Sequence, residues 1–323
     1  MDPSIPLRHH LSTASQELKW LEQKARSTGL GSGNWETLLE SYVKEIVQFD
    51  KPLAYILGTQ PFHPLPVDLL VRPPILVPRP ETEHWVQHLS QTLLSSSNSS
   101  RDHTTSFKIL DIGTGTGCIA LGLTKSLLNS SRSSSRSGQL ESRVECLGID
   151  WSEQAVELAR ENTQRCLLTR EVKVRRMDLF NEEFVENVLR RDQEEGREGG
   201  GEGEKGFDLI VSNPPYITRR EFEGLDKSVK NWEDRSALVG ESPTDTEEGK
   251  DDGLIFYRRI SSILNDLLRK PITKGGRGGP VVAFEVGKGQ AREVGALLRR
   301  QGFKSEIVSD PWGVERAVFG WRR

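Results

Sequence analysis

Cysteine is scarce in this chain, and the few cysteines present exclude two kinds of site. The 323 residues include three cysteines, Cys118, Cys146 and Cys166, and none stands at the spacing of a metal motif. Scattered cysteines of this kind serve as small apolar side chains in a reducing compartment. The sequence therefore predicts neither a disulfide framework nor a metal site.

Long apolar runs and an excess of positive charge are also missing. No stretch approaches the roughly 20 apolar residues that a membrane-spanning helix needs. The formal net charge is -3, which argues against a large non-specific footprint on nucleic acid. We therefore expect no membrane partner and no stable nucleic-acid complex, and we expect a monomer.

Composition and periodicity divide the chain into three regions. Apolar residues recur at three-to-four spacing over residues 11–48, with one break near residue 30, and predict a small helical domain over residues 1–50. Residues 51–83 are rich in proline, with short β-like pieces, and are predicted to form a linker. Residues 84–323 alternate between strand and helix patterns, which predicts an α/β domain with a doubly wound sheet.

Tracts of biased composition interrupt this pattern. We predict that all of them are loops between helices and strands, because surface loops tolerate insertions at low entropic cost. The tract at 191–206 has the composition of a disordered segment. The tracts are residues 95–106, 129–143, 191–206, 241–252 and 275–279.

A glycine-rich turn follows the first strand of the α/β domain. Residues 107–112 have the pattern of a strand, and residues 118–128 have that of a helix. A strand, a glycine turn and a helix form the nucleotide-binding unit of doubly wound folds, since glycine lets the backbone approach a ligand closely. The predicted cofactor turn consists of Gly113, Thr114, Gly115, Thr116 and Gly117.

Acidic residues follow the next two strands. Asp150 ends the strand at 144–149, where an acid is placed to accept hydrogen bonds from ribose hydroxyls. It lies farther from the glycines than the usual gap of about 20 residues, and the serine-rich tract accounts for the excess. The alternative is that Asp150 caps the helix beginning near Ser152. Asp178 either faces an adenine amine or is an ordinary loop acid.

The most informative stretch is a buried strand at 207–211 that runs into Asn213-Pro214-Pro215-Tyr216. Each proline fixes its own φ and lacks an N–H donor, so the turn is stiff and leaves carbonyl groups without partners. The Asn213 amide oxygen and a free carbonyl can accept the two hydrogens of a planar NH2 group. The Tyr216 ring then packs on the plane of that group. The alternative is a turn with no further role, since asparagine and proline are common in turns.

A charged segment rich in proline, residues 78–83, precedes the first helix of the α/β domain. It contains Arg79, Glu81 and Glu83 between and after two prolines. These charges form either a solvated run or a shaped loop beside a site, and their spacing leaves both interpretations open.

With these motifs placed, the chain resembles the HemK/PrmC family of class I S-adenosylmethionine methyltransferases nearly end to end. Members of this family methylate the side-chain amide nitrogen (N5) of the glutamine in the Gly-Gly-Gln loop of class 1 peptide chain release factors. The resemblance implies a Rossmann-like sheet with a terminal antiparallel strand, preceded by a helical domain that recognises the substrate. The matching segments are residues 55–58, 75–83, 111–117, 213–216, 252–258, 285–290 and 310–316.

The resemblance also implies roles for individual residues. S-adenosylmethionine is the expected cofactor, and a class 1 release factor is the expected protein substrate. The implied catalytic and substrate-binding residues are Asn213, Pro214, Pro215 and Tyr216, with Arg79 and Glu81 also binding substrate. The implied cofactor-binding residues are Gly113, Thr114, Gly115, Thr116, Gly117, Asp150, Asp178, Leu179 and Asn213.

The chain departs from the family pattern in places. Leu179 stands where bacterial members often carry tryptophan, so an adenine-stacking ring is missing, and residues 232–238 replace a segment that usually contains Glu-Pro. The longer biased tracts indicate a eukaryotic member, and the helical domain indicates the mitochondrial type. Residues 1–15 hold Arg8, His9, His10 and several hydroxyl groups with only Asp2 acidic, as in a targeting segment. We expect a mitochondrial protein, or otherwise a cytoplasmic one.

Two other functions use the same motifs. In an N6-adenine methyltransferase acting on DNA or RNA, the same turn would hold the planar NH2 group of the adenine substrate. Such an enzyme must also extract the base from its stack and bind phosphate groups. The net charge of -3 and the acidic tracts weigh against it. A non-enzymatic cofactor sensor or scaffold is the second alternative. The intact glycines, Asp150 and Asn213 weigh against that one.

Overall fold

A computed structural model of the chain describes residues 4–29, 34–96, 106–134, 144–195, 205–241, 251–270 and 278–323. The helices are α1 (Ser4–Thr28), α2 (Trp35–Phe49), α3 (Leu53–Leu57), α4 (Pro80–Ser96), α5 (Cys118–Ser134), α6 (Glu153–Arg165), α7 (Phe184–Glu195), α8 (Arg219–Glu223), α9 (Lys227–Lys230), α10 (Arg235–Leu238), α11 (Ile255–Leu267) and α12 (Ala291–Arg300). The strands are β1 (Thr59–Gln60), β2 (Leu69–Leu70), β3 (Phe107–Ile112), β4 (Val144–Asp150), β5 (Val172–Arg176), β6 (Leu209–Ser212), β7 (Val282–Glu285), β8 (Phe303–Ser309) and β9 (Glu315–Arg322).

Seven of these strands form the main sheet, in the order β5-β4-β3-β6-β7-β9-β8. The first five are mutually parallel, whereas β9 is antiparallel to both β7 and β8. The predicted α/β fold, a doubly wound sheet with a terminal antiparallel strand, is therefore confirmed.

Helices cover both faces of the sheet, which explains why the central strands read as continuous apolar runs. Val211 of β6 faces a core that includes residues of α4, α5 and α6. Its neighbour Ile210 faces a second core that includes residues of α7, α11 and α12. Both side chains are fully buried. Truncating a fully buried aliphatic residue of this kind to alanine costs about 2–5 kcal/mol, so these cores hold β6 and the turn after it in place.

The N-terminal helices lie where the sequence predicted helices. α1 packs against α2, and α3 contacts α1. The indole Nε1 of Trp232 donates a 2.8 Å hydrogen bond to the carbonyl of Phe49 at the end of α2. In the proline-rich region, only Leu69–Leu70 of the predicted β-like pieces pairs, with β1. The domain boundaries at residues 50 and 83 stay a prediction.

All five biased tracts were predicted to be loops, but three of them begin with helix. α4 continues to Ser96, α5 to Ser134 and α7 to Glu195, so each helix enters the tract that follows it. Adding a residue to an existing helix costs far less than nucleating one, so a packed helix extends into polar sequence. Residues 135–143 and 196–204 lie outside the described residues. Among the described helices, none combines the length and apolar character needed to cross a bilayer.

Candidate active site

The carboxyl ends of β3 and β6 mark the point where the strand order reverses. From β3 the chain runs outward to β4 and β5, and it then returns to place β6 on the other side of β3. Open α/β sheets bind ligands at this position, in the crevice outside the carboxyl ends of the strands. The glycine turn follows β3 and the Asn-Pro-Pro-Tyr turn follows β6, so the fold brings both predicted motifs to the same crevice.

The glycine turn adopts backbone conformations that favour glycine. Gly113, Gly115 and Gly117 have φ values of 75°, 54° and 84°, a region that side chains other than glycine rarely enter. The N–H groups of Gly113 and Thr114 both donate to the Ile149 carbonyl at the end of β4, at 2.8 and 2.9 Å. A Cβ atom added to Gly115 would meet nothing within 4 Å. The outer surface of this turn is therefore open to a ligand.

The two threonines of the turn point inward. Thr114 and Thr116 are both buried, and the Thr114 hydroxyl donates a 2.7 Å hydrogen bond to Oδ2 of Asp111. The Thr114 side chain therefore anchors the turn to β3. A cofactor contact by Thr114 would be made through its backbone.

Asp150 links the end of β4 to the glycine turn. Its Oδ2 accepts a 2.9 Å hydrogen bond from the Gly115 N–H, and its Oδ1 accepts a 3.0 Å bond from the Ser152 N–H. Burial raises the pKa of this carboxyl, although these backbone N–H groups oppose the shift. Ser152 itself caps α6 by accepting from the Ala155 N–H. Asp150 is therefore not the N-cap of α6, and it lies beside Gly115, where the ribose was predicted.

Asp178 and Leu179 follow β5, two strands away from β3. Asp178 is exposed, its Oδ1 accepts from the Phe180 N–H at 2.9 Å, and it lines a cavity of about 300 Å³ with Arg175 and Arg176. The Leu179 side chain is buried in the second core, and its carbonyl accepts a 3.0 Å hydrogen bond from Arg259 Nε. Their predicted contacts with the cofactor stay predictions.

The Asn-Pro-Pro-Tyr turn leaves acceptors free beside the glycine turn. The backbone carbonyl oxygen of Asn213 lies 3.9 Å from the position that a Cβ on Gly113 would occupy. Among the described residues, neither the Asn213 side-chain amide nor the Pro214 carbonyl oxygen has a hydrogen-bond partner. The two residues that carry these groups, Asn213 and Pro214, thus stand at or next to the cofactor turn.

Close packing against three glycines and one glutamine holds this turn in position. A Cβ on Gly253, whose φ is +66°, would overlap the Tyr216 carbonyl oxygen. A Cβ on Gly287 would lie 2.9 Å from Cδ2 of the Tyr216 ring, and one on Gly240 would lie 2.9 Å from the Pro215 carbonyl oxygen.

The glutamine is Gln290, at the start of α12. Its Nε2 donates to the Tyr216 carbonyl at 2.9 Å, while its Oε1 accepts from the Gly287 N–H at 3.0 Å. Sequence reasoning matched Gln290, Gly253 and Gly287 to the family but assigned them no role. No local pattern marks them as supports for a distant turn.

The charges of residues 78–83 pair with other parts of the fold, so they are not a solvated charge run. Arg79 Nη2 donates to both carboxylate oxygens of Glu233, at 2.7 and 2.6 Å, and the Glu233 side chain is wholly buried. Burial raises the pKa of Glu233, against the opposing charge of Arg79. Glu81 accepts from Arg316 Nη2 at 3.3 Å. The substrate-binding roles of Arg79 and Glu81 stay predictions.

Asp111 is a further acid at the crevice, and sequence reasoning gave it no separate role. It is fully buried at the end of β3. Its Oδ2 accepts from Thr114 Oγ1 at 2.7 Å and from the Ala120 N–H at 3.2 Å, while its Oδ1 has no partner among the described residues. Burial raises the pKa of Asp111 to about 7. Its only sequence signal is its place two residues before the first glycine of the turn.

Comparison with known proteins agrees with this geometry. A family model described as a methyltransferase domain matches residues 103–231. The release factor glutamine methyltransferase of Geobacter sulfurreducens is 32% identical over 271 residues, which cover 84% of this chain and 73% of that protein. The protein of the same name from Flavobacterium psychrophilum is 30% identical over 285 residues, covering 88% of this chain and 78% of its own.

A solved structure of the N-terminal domain of human METTL16 in complex with SAH is similar with a TM-score of 0.44 and 19% identity, covering 78% of this chain and 75% of that one. The fold and the site define a class I methyltransferase that uses S-adenosylmethionine. The residues present fit this cofactor, because Gly115 lies open, Asp150 ends β4, and the Asp111 Oδ1 is without a partner in the described chain. The chain belongs to the family of release factor glutamine methyltransferases.

Proposed function

We propose that this protein methylates the side-chain amide nitrogen (N5) of the glutamine in the Gly-Gly-Gln motif of a class 1 peptide chain release factor, and so acts on translation termination. The observation that carries the proposal is the pair of unpartnered acceptors, on Asn213 and Pro214, beside the glycine turn. The names of the relatives support the choice of substrate.

The two acceptors address the main chemical difficulty of the reaction. An amide nitrogen is a poor nucleophile, because its lone pair is delocalised into the carbonyl group. When bound, S-adenosylmethionine supplies a methyl group on a positively charged sulfur. Asn213 Oδ1 and the Pro214 carbonyl each accept one N–H of the substrate amide and thereby aim its nitrogen at that methyl group. Holding reactants in this way supplies several kcal/mol of the barrier reduction, and fixed dipoles add to it.

Tyr216 gives the amide a flat surface to pack on. The Gly287 backbone packs against one side of its ring. Gln290 holds its backbone carbonyl through a hydrogen bond. Burial raises the pKa of its hydroxyl above the ordinary tyrosine value, with nearby Glu285 adding to the shift. The hydroxyl therefore stays neutral at physiological pH, and the ring serves as a packing surface.

The helical domain at residues 1–50 is the proposed recognition module for the release factor. Exposed apolar side chains on α1 and α2 support this role, including Trp20 and Phe49, at 45% and 55% exposure. Mitochondrial location is a further proposal, supported by residues 1–15, which are rich in hydroxyl groups and contain Arg8, His9 and His10 with only Asp2 acidic. A fluorescent fusion of the whole chain tests it, and a diffuse cytoplasmic signal would refute it.

Mass spectrometry of a class 1 release factor, incubated with this protein and S-adenosylmethionine, tests the proposed reaction. We expect a mass gain of one methyl group on the Gly-Gly-Gln glutamine. The variant Asn213→Ala should lose about 100-fold or more of the rate while its cofactor dissociation constant, measured by calorimetry, is unchanged. Exposed Asn231 provides the matched control, Asn231→Ala, which should retain the rate.

Two results would refute the proposal. The first is an unmodified release factor in the presence of a folded, cofactor-binding enzyme. The second is methylation of adenine in a DNA or RNA oligonucleotide offered under the same conditions, which would support the alternative nucleic-acid substrate. Equal loss of cofactor binding and rate in Asn213→Ala would remove that residue from the substrate side of the site.

A further inference from the structure

Glu285, the last residue of β7, is a buried acid that the proposed reaction does not yet use. It is 4% exposed. Its Oε2 accepts hydrogen bonds from Thr82 Oγ1 at 2.6 Å and from Trp85 Nε1 at 2.7 Å, both on α4. Its Oε1 has no hydrogen-bond partner among the described residues. One oxygen is therefore clamped, and the other is available to a ligand.

The sheet register places this carboxyl beside the Asn-Pro-Pro-Tyr turn. Ser212, the last residue of β6, pairs with Phe284 of β7, so Asn213 begins the turn at the level of Glu285, the next residue of β7. Side chains alternate between the two faces of a sheet, and Val211 of β6 faces the core that includes α4. The contacts of Glu285 with α4 put it on that face, at the level of the sheet where Asn213 begins the turn.

Contacts around Tyr216 independently bring the end of β7 to the turn. The backbone of Gly287, two residues beyond Glu285, lies against the Tyr216 ring. The Gly287 contact thus brings the end of β7, which carries Glu285, to the ring that is proposed to pack on the substrate amide. In agreement with this, the charge of Glu285 adds to burial in raising the pKa of the Tyr216 hydroxyl.

We propose that Glu285 is the proton acceptor of the methyl-transfer step, an inference that rests on the proposed function. The lone pair of the amide nitrogen forms the new N–C bond while the C–S bond breaks, and the electron pair of that bond stays on sulfur. The nitrogen then carries one proton too many and a positive charge. One of the two N–H hydrogens, which the Asn213 amide oxygen and the Pro214 carbonyl hold before transfer, then leaves its acceptor and passes to Oε1 of Glu285, which leaves a neutral N-methyl amide and a protonated carboxyl.

A clamped, buried carboxylate suits this task for two reasons. The Thr82 and Trp85 donors hold it in one orientation, so no reorganisation is needed as charge develops on the substrate nitrogen. Electrostatic stabilisation by such a preorganised group is stronger in a buried site than in water. Removing a general base of this kind typically lowers the rate by 100-fold to 10,000-fold.

The proposal predicts a dependence of rate on pH. Burial raises the pKa of Glu285, and nearby Glu81 adds to the shift, whereas Thr82, Trp85 and Arg316 oppose it. The acceptor must be ionised, so the rate should rise with pH through a pKa above the ordinary glutamate value.

The other titratable groups that face Glu285 differ in their behaviour. Burial raises the pKa values of Tyr216, Tyr257 and Cys118, which keeps all three neutral across this range, and Arg316 stays charged because its pKa is also raised. Glu81 of α4 also faces Glu285. Asp111, with its pKa near 7, is the acid that most needs to be distinguished from Glu285.

Single-turnover rates on a Gly-Gly-Gln peptide, measured between pH 5 and pH 9 at saturating cofactor, test this role. Glu285→Gln keeps an oxygen that can accept from Thr82 and Trp85 but removes the base. We expect the rate at the high-pH plateau to fall about 100-fold or more. The rise of the rate with pH at the acid end of the profile, the acid limb, should disappear. The KM for the peptide and the calorimetric cofactor dissociation constant should change less than about threefold. Asp111→Asn should keep the limb that belongs to Glu285.

A second variant keeps the test decisive if Glu285→Gln does not fold. Thr82→Val removes one donor that lowers the pKa of Glu285 but leaves the base in place. Its acid limb should therefore move to higher pH while its plateau rate stays within about tenfold of the original. Circular dichroism verifies the fold of each variant.

Several outcomes would overturn the role of Glu285. They are an unchanged rate in Glu285→Gln, an acid limb that persists in that variant, and an acid limb that does not move in Thr82→Val. If the unaltered protein does not methylate the peptide or the release factor, the proposed function fails. If it does methylate them and the variants behave as in any of these three outcomes, only the role of Glu285 fails.

Discussion

Replacement of Asp111 by asparagine should stabilise this protein, and increasingly so as the pH rises. The Asp111 carboxyl is fully buried, and its Oδ1 has no partner in the described part of the chain. Asparagine has nearly the same shape, and its oxygen can accept the two hydrogen bonds that Thr114 and Ala120 now donate. The variant therefore keeps these contacts and removes a buried charge.

The magnitude follows from the pKa of Asp111, which burial raises from 3.8 to about 7. A raised pKa means that the folded state binds the proton more tightly than the unfolded chain does. The carboxyl's contribution to stability is therefore fully present below the unfolded pKa and declines as the pH rises to about 7. Each unit corresponds to 1.36 kcal/mol, so the decline between pH 5 and pH 7 is about 3 kcal/mol. The asparagine variant lacks it.

Urea unfolding at pH 5 and at pH 8, without cofactor, measures this difference. We expect the free energy of unfolding of Asp111→Asn, relative to the unaltered protein, to rise by about 3 kcal/mol between the two pH values. Exposed Asp178 provides a matched control, because Asp178→Asn should change the same quantity by less than about 0.5 kcal/mol. A variant whose relative stability is flat or falls with pH would refute the argument that burial dominates at Asp111.

Three further substitutions probe other parts of the site. Asp150→Ala removes a carboxylate that would accept ribose hydroxyls, and we expect calorimetry to show a 10-fold to 100-fold weaker cofactor, matching about 1.5–3 kcal/mol for hydrogen bonds to a charged group. Arg79→Met leaves the buried Glu233 carboxylate without its partner. Urea unfolding should show that the free energy of unfolding falls by about 2–3 kcal/mol, which is below the range for fully buried pairs because Arg79 itself is partly exposed. Gly253→Ala places a Cβ against the Tyr216 carbonyl, and it should lower the methylation rate about 10-fold or more with unchanged cofactor affinity.

Each of these predictions has a result that would contradict it. An unchanged cofactor titration would remove Asp150 from the site. Adding Glu233→Gln to the Arg79 variant should recover most of the lost stability, and no recovery would show that the stability was lost for another reason. A Gly253 variant that binds cofactor more weakly in proportion to its loss of rate would show that the whole crevice had shifted rather than the turn alone.

The local pattern of the sequence was enough to predict the elements that form the crevice. β6 was predictable because a strand covered on both faces has a continuous apolar run, and the stiffness of its turn follows from two adjacent prolines. The side-chain contacts between these elements and distant parts of the chain could not be predicted. Thr82 meets Glu285 across 203 positions of sequence and Arg79 meets Glu233 across 154.

Such pairings depend on which helix lies over which strand, and no window of neighbouring residues records that. The same limit applies to Gly253 and Gly287, whose roles depend on the close approach of a turn from elsewhere in the chain. Composition also gave a wrong prediction at the ends of α5 and α7, where polar residues were predicted to be loop. In the structure these residues continue a helix that packed residues begin.

The place of β9 in the sheet constrains the order of assembly during synthesis. This strand follows β8 along the chain, yet it lies between β7 and β8. Until Arg322 has left the ribosome, β7 therefore presents an unpaired edge, and such edges are prone to pair with other chains. Arg316, which joins Glu81 to Asp310, also arrives only then. The nascent polypeptide thus completes the seven-stranded sheet and gains the ion pairs of Arg316 in one step, which comes after β8 has already been synthesised.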